Sequence, residues 1–550
     1  MFDGLPSEYD IIVVGTGIVE SILASACARI GKTVLHVDTN EYYGSEWASF
    51  PLNGLIEWAQ MQENPATNVD PQDDNEKIMP ISSPLNVFRN VQFKWNIEKT
   101  NEQASTTENE TPKITIDVLE KQSRKFNIDL IPKLYYATGG LIDLLVQSNV
   151  GKYCEFKLVS RLLLERNGQL DNVPSSRSDI FNSNDISLID KRLLMKVIMN
   201  CSSMAIEDLN EDENIPFIDY LKKQKLNDTL CHLIINSISM VDYNATTKEG
   251  VMKAKRYLES IGRYGNSPFL YPLYGNGEMS QCFCRLCAVF GGTYFLRFPL
   301  AGFTIDSSTN QCSGIVATTK ERFRAKDAVI CNHALMDSIS SNRNVIHRMV
   351  LITNQSIKSS EKDEITYLRL SGPNESGIHI IEVGHGSGCT PDGFFLLYIF
   401  QEKPDENINQ IIERLLKLTG DQFTQSNILG QLTFDQVETI SSSAPSSILK
   451  LLLAHGPDGS INHDSAVNTA RTMFYQIYSN GEEFLARAPD PEDIIIEDDG
   501  NASNTSTFNT NAEDENSTLN TDADNDTSNL NINAANDASN SNTNADQETS

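Results

Sequence analysis

The sequence predicts an α/β protein on a Rossmann-type nucleotide scaffold, carrying an inserted all-helical domain and an acidic C-terminal tail. Three observations predict it. A β-branched run near the N-terminus ends in a glycine turn, a helix, a second strand and an acid. Residues 174–268 follow a mainly helical period inside a chain otherwise rich in strand patterns. Residues 497–550 hold twelve acidic and no basic side chains and too few apolar ones to fold.

Residues 9–14 (Tyr-Asp-Ile-Ile-Val-Val) read as a buried strand, and Gly15-Thr16-Gly17 as the turn after it. The next helix places Leu23, Cys27 and Ile30 on one face, and Gly31 stops it. Residues 33–37 form the second strand, ending at Asp38. Residues 59–113 are polar with little periodicity and read as an insert with disordered stretches. Order resumes at Phe126–Pro132. Residues 292–332 alternate as β-structure, and two further strands flank 384–388. Residues 465–478 form an amphipathic helix through Val467, Ala470, Phe474 and Ile477. The resulting division is 1–173 with 269–496 as one discontinuous domain, 174–268 as a helical domain, and 497–550 as a disordered Asn/Asp-rich tail.

The net charge is −30, and about −18 remains without the tail. Such a surface repels nucleic acid and suits a partner with basic segments. The opening residues MFDGLPSEYD lack a signal peptide's basic and apolar regions, and the run GFFLLYIF is too short to span a bilayer. Ten cysteines scattered without a framework fit a reducing cytosol, so a cytoplasmic protein is expected.

The glycine turn departs from G-x-G-x-x-G. Gly15 and Gly17 are present, but Glu20 stands at the third position. There it adds bulk, and a possible negative charge, where a pyrophosphate would sit. Asp38 keeps the spacing of a ribose-binding acid. The scaffold is retained and the phosphate site spoiled, so no flavin or nicotinamide cofactor is expected.

The segment GEMSQCFCRLCAVFGG, 277–292, is the most informative. On a helix, Glu278, Gln281 and Arg285 fall within an arc of about 60°. Met279, Phe283, Cys287 and Phe290 fall on the opposite side. One face packs inward and the other presents an acid, an amide and a guanidinium. That is either an ordinary solvated face or a protein-docking platform with oriented polar contacts. Cys282 lies about 140–160° from Cys284 and Cys287, so the three thiolates cannot converge on one metal. Gly384–Gly388 fails the nucleophile pattern G-x-S-x-G, because His385 and Cys389 stand where glycines are needed, and reads as a hairpin loop.

Three blocks then carry a family resemblance. VVGTGIVESILA with GKTVLHVDTNEYYG, FNIDLIPKLYYATGGLIDLL, and GRYGNSPFLYPLYGNGEMSQCFCRLCAVFGGTYFL resemble, in order, the conserved blocks shared by Rab GDP-dissociation inhibitors and Rab escort proteins. The likeness covers most of 8–496. Trp47–Phe50, the cysteine-rich helix, the large 59–113 insert, Gly456-Pro457-Asp458 and Pro489–Ile495 resemble the escort branch. Ser45, Asn276 and Met279 depart from the usual pattern.

The resemblance implies an FAD-binding-like, multi-sheet fold without the cofactor, and a non-catalytic role. It implies that GDP-bound Rab GTPases dock on Tyr43, Glu278, Arg285, Thr293 and Phe295; Gln281 joins them from the helix geometry alone. It further implies presentation of the Rab to the α/β heterodimer of Rab geranylgeranyltransferase, with Phe217 and Leu233 as candidate contacts in the helical domain. The helical domain would cover the geranylgeranyl lipid. Transient membrane contact is implied for the loop from Arg263 to Phe269, which could equally be a structural linker. Two other readings stay open: a recycling inhibitor that does not engage the transferase, and, from Gly15, Gly17 and Asp38, an FAD-dependent oxidoreductase.

Overall fold

The computed structural model describes residues 2, 4–61, 69–72, 75–82, 87–99, 114–174, 187–203, 205–336, 344–360, 362–372, 375–402, 408–439, 448–479 and 481–487. The expected disordered tail and the Pro489–Ile495 ending lie outside them.

Ile11, Ile12, Val13 and Val14 are all fully buried, as a strand covered on both faces requires. Ile11 and Val13 enter one core, Ile12 and Val14 another. This strand, Glu8–Val14, pairs in parallel with Val34–Val37 and with Arg322–Asn332. The sheet runs Thr293–Phe295, Val34–Val37, Glu8–Val14, Arg322–Asn332, Gln311–Ala317, Leu300–Asp306 and Glu76–Pro80, and Leu451–Ala454 also lies beside Arg322–Asn332.

The helix Ile18–Arg29 is buried beyond the face that carries Leu23, Cys27 and Ile30. Every residue from Ile18 to Ala28 is buried. It lies between the helices Gly277–Val289 and Asp464–Ile477, and its alanines and serines let both approach closely. Gly31 takes a φ of +79° just past its end, the left-handed conformation that stops a helix at low cost.

A second eight-stranded sheet runs Gln169–Asn172, Arg161–Arg166, Thr366–Leu370, Ile378–Val383, Phe395–Glu402, Val345–Thr353, Ile428–Val437 and Phe88–Trp95. Ile378–Val383 and Phe395–Glu402 are the strands around the 384–388 loop, and they pair antiparallel. The polar insert needs correction. It supplies Glu76–Pro80 to the edge of the first sheet and Phe88–Trp95 to the edge of the second. Val91, Phe93 and Trp95 alternate as a half-buried edge strand should, but the run is short and its other face, Asn90, Gln92 and Lys94, is polar.

Residues 188–260 carry the helices Leu188–Ser203, Phe217–Lys223, Asp228–Leu233 and Thr247–Ser260, with a π-helical turn at Ile234–Ser239. Arg369 of the second sheet reaches into this group, donating to Asn236 and pairing with Asp242. Among the described residues, no helix is long and apolar enough to cross a membrane.

Candidate protein-docking site

The helix Gly277–Val289 carries the polar stripe. Met279, Phe283 and Cys287 are buried, while Gln281 and Arg285 are exposed and Glu278 is half-buried. Burial, with Asp129 nearby, raises the Glu278 carboxyl above its ordinary range. The Arg285 guanidinium lies over the Tyr153 ring, 4.5 Å from its centroid, which holds the charge in place while leaving it in solvent. Cys284 and Cys287 share the Tyr294 hydroxyl, while Cys282 turns to another part of the chain. Cys282 donates to the Tyr153 carbonyl at 3.4 Å, Cys284 meets the Ser21 hydroxyl at 3.2 Å, and Cys287 is enclosed by the turn that follows. A Cβ on Gly292 would meet the Cys287 sulfur at 2.3 Å, which explains the glycine pair ending the helix. Phe290 corrects the wheel. It stands past the last helical turn, 41 % exposed, under the Arg29 guanidinium.

Thr293–Phe295 follows as an edge strand parallel to Val34–Val37, and all three of its residues are half-buried. Tyr294 turns inward, its hydroxyl 2.7 Å from His36 Nδ1. Phe295 packs on Phe2 and Phe298. Tyr43 is half-buried edge-on to Tyr294, with centroids 6.2 Å apart, and burial, with Cys284 nearby, raises its hydroxyl. Tyr43, the strand and the cysteine-rich helix therefore meet at one surface. Tyr153 was not foreseen, because it comes from a distant segment that carries no pattern pointing to this place.

At the nucleotide end of the scaffold the chain's own side chains crowd the turn, leaving a small cavity among Gly15, Asp38, Ser45, Glu46 and Asn332. Asp38 is buried and accepts from the Thr16 amide at 2.8 Å, the Thr16 hydroxyl at 2.6 Å, the Ser45 hydroxyl at 2.9 Å and the Asn40 amide at 2.8 Å. Ser45 holds a φ of +48°, which suits the glycine usual at this place, and its bond to Asp38 offsets the strain. Glu20 folds back over the turn, so that a Cβ on Gly17 would meet its Oε2 at 2.5 Å. Burial, reinforced by Glu46 and Asp38, pushes its carboxyl up to about 8, so it is mostly neutral at pH 7. The amide of Thr16 is taken by Asp38 and the glycine turn is covered by Glu20.

Phe217 and Phe269 are corrected as contact residues. Phe217 is fully buried, its ring against Gly250, and Phe269 lies fully buried in a strand between Tyr136 and Tyr257. Neither offers a surface to a partner or a membrane. Leu233 is half-buried. Arg263 is exposed but tethered, pairing with Asp143 at 2.6 Å and donating to the Ala137 carbonyl at 2.9 Å. Large exposed apolar side chains in the helical segment are instead Leu188, Ile189 and Met199 on one helix and Met252 on the helix packed against it.

Comparison with known proteins finds relatives along most of the chain. The family model described as GDP dissociation inhibitor matches residues 5–80 and 108–485. "Rab proteins geranylgeranyltransferase component A" of Drosophila melanogaster is 33 % identical, over 92 % of this chain and 96 % of that protein. "Rab proteins geranylgeranyltransferase component A 1" of Homo sapiens is 31 % identical, over 91 % of this chain and 95 % of that one. The crystal structure of a Rab GDI from Plasmodium falciparum shares the fold with a TM-score of 0.63 at 21 % identity, covering 86 % of this chain and 99 % of that one.

Proposed function

The chain belongs to the GDP dissociation inhibitor family, and from that premise we propose that it is a Rab escort protein, the accessory component of a Rab geranylgeranyltransferase. It binds a Rab GTPase in its GDP form and presents the Rab's C-terminal cysteines to the catalytic heterodimer. It then carries the lipidated product to a membrane. It performs no chemistry itself and uses no cofactor.

The observation that carries this reading is the surface where Tyr43, Thr293–Phe295 and the Glu278–Gln281–Arg285 stripe meet. The helix is locked through its buried face, so an acid, an amide and a guanidinium stand pre-oriented. Directional charge-assisted contacts from a rigid element select one partner at low ordering cost. An acidic body complements a GTPase tail bearing basic residues.

The escort step has a physical basis. Each buried methylene contributes about 0.8 kcal/mol, so a twenty-carbon chain favours leaving water by on the order of 10 kcal/mol. A soluble intermediate needs an apolar cover, and we place it in the 174–268 helical domain. The exposed Leu188, Ile189, Met199 and Met252 support that placement. Leu233 stays a transferase-contact candidate, and membrane delivery is assigned to the loop beginning at Arg263.

Reconstitution tests the proposal. Purified transferase, a Rab and geranylgeranyl diphosphate are combined with and without this chain. Lipid transfer that depends on the chain is the expected result, and transfer at equal rates in its absence would refute it. The family's own description favours a second reading, a recycling inhibitor. That protein would extract lipidated Rab from membranes yet fail to co-purify with the transferase.

A further inference from the structure

The docking surface has two halves from distant parts of the sequence, the segment carrying Tyr43 and the helix carrying Glu278, Gln281 and Arg285. One buried side chain joins them. Asp129 ends the two-residue strand Ile128–Asp129, paired antiparallel with Ser49–Phe50, and is fully buried. Its Oδ1 accepts the Asn276 backbone N–H at 2.8 Å and the Ser49 hydroxyl. Its Oδ2 accepts the Tyr271 hydroxyl at 2.7 Å and the Asn276 side-chain amide at 2.8 Å. Four donors use the acceptor capacity of a carboxylate in full. The set extends outward: Asn276 Oδ1 accepts from the Tyr135 hydroxyl at 2.8 Å, and the Gly277 N–H donates to Ser49 Oγ at 2.8 Å.

These bonds fall where a helix begins. The first N–H groups of a helix have no partner within it, and whatever satisfies them sets its axial position and rotation. Here Asn276 and Gly277, at the start of the 277–289 helix, give their amides to Asp129 and Ser49. The approach is close. Gly275 takes a φ of +98°, and a Cβ on it would lie 2.6 Å from Asp129 Oδ1; one on Gly277 would lie 2.7 Å from Ser49 Oγ. The glycines at 275 and 277 let the turn close onto the acid. Asp129, Tyr271 and Asn276 are all buried, so none of them touches a docked protein.

We infer that Asp129 is the positioning residue of the docking surface, fixing the first turn of the Gly277–Val289 helix against the Tyr43–Phe50 segment. The inference rests on that surface being the Rab-binding platform. Replacing Asp129 with Asn keeps the volume but removes an acceptor and sets an amide against groups that themselves donate. The helix start shifts, and the stripe is no longer held in register with Tyr43.

The test uses the full chain and a fluorescently labelled Rab·GDP. Affinities are measured for the wild type, Asp129→Asn, Ser49→Ala, Arg285→Glu and each positioning variant combined with Arg285→Glu. Asp129→Asn is expected to weaken binding by about tenfold, the scale of one misplaced or unsatisfied polar contact. Ser49→Ala should act in the same direction more weakly. Combined with Arg285→Glu, each should lose less than the product of the single effects, because a displaced helix no longer delivers residue 285. A purely structural role would leave the effects multiplicative. If Arg285→Glu weakens binding while both positioning variants bind like the wild type, or if the effects multiply, the positioning role is overturned and the platform stands. If Arg285→Glu changes nothing, the platform reading itself falls and takes this inference with it. Should Asp129→Asn fail to fold, the Ser49→Ala cycle decides.

Discussion

Glu20 stands where the nucleotide scaffold expects a glycine, and its carboxyl answers to pH. Its ordinary value is 4.5, and burial first, then Glu46, pushes it to about 8. Below pH 4.5 the folded and unfolded chains both hold the proton, and the residue costs nothing. As pH rises the unfolded chain releases its proton first, so stability falls until about pH 8 and is level beyond. Glu46, raised by burial to about 7, adds to the same slope. Glu20→Gln is therefore expected to melt above the wild type at pH 8, by on the order of a few kcal/mol of stability, with the gap closing toward pH 5. Thermal melts between pH 5 and 9 check this; parallel curves for the two proteins would refute it. The spacing of Gly15, Gly17, Glu20 and Asp38 was legible in the sequence, because the turn and its acid are local. That Ser45 and Thr16 would occupy the Asp38 carboxylate was not legible, since the chain must fold back to bring them there.

Among elements, the cysteine-rich helix was readable because its two faces differ in polarity at a fixed period. The wheel failed only at Phe290, where the helix had already ended. The face of the helix Ile18–Arg29 that carries Leu23, Cys27 and Ile30 was legible; burial of the remaining faces was not, because alanine and serine signal neither face, yet small residues are what two close neighbouring helices demand. The strands Glu76–Pro80 and Phe88–Trp95 escaped because an edge strand shows an apolar pattern on one face only. Packing between helices yields a direct test. Gly250 on the helix Thr247–Ser260 lies against the Phe217 ring, and an added Cβ would sit 2.3 Å from Phe217 Cγ. Gly250→Ala, which stabilises an open helix by about 1 kcal/mol, is expected here to destabilise by about 1–3 kcal/mol through overpacking. A urea midpoint that rises instead of falling would show that the helices have slack.

At the scale of the whole molecule, segments far apart in the sequence are tied together. Lys133 has no exposed side-chain surface and pairs with Asp458 at 2.8 Å, while also donating to the carbonyls of Asp458 and Ser460. Lys133→Met would leave those acceptors stranded, and the unfolding free energy is expected to fall by about 3 kcal/mol, the low end for a broken buried pair. Asp458 keeps partial contact with water, which sets that lower end. Urea unfolding checks it, and an unchanged midpoint would mean that the loop holds by other means. Such long-range ties, like the pairing of Glu8–Val14 with Arg322–Asn332, were beyond sequence reading, because periodicity reports a strand's faces and not its neighbour. That pairing has a consequence for biosynthesis. The first strand leaves the ribosome some 300 residues ahead of its partner and, at about 5–20 residues per second, waits roughly a quarter of a minute to a minute for it. Throughout that interval the apolar run Ile11–Val14 hangs from the translating ribosome with one edge unmatched, a natural substrate for whatever chaperone patrols nascent chains.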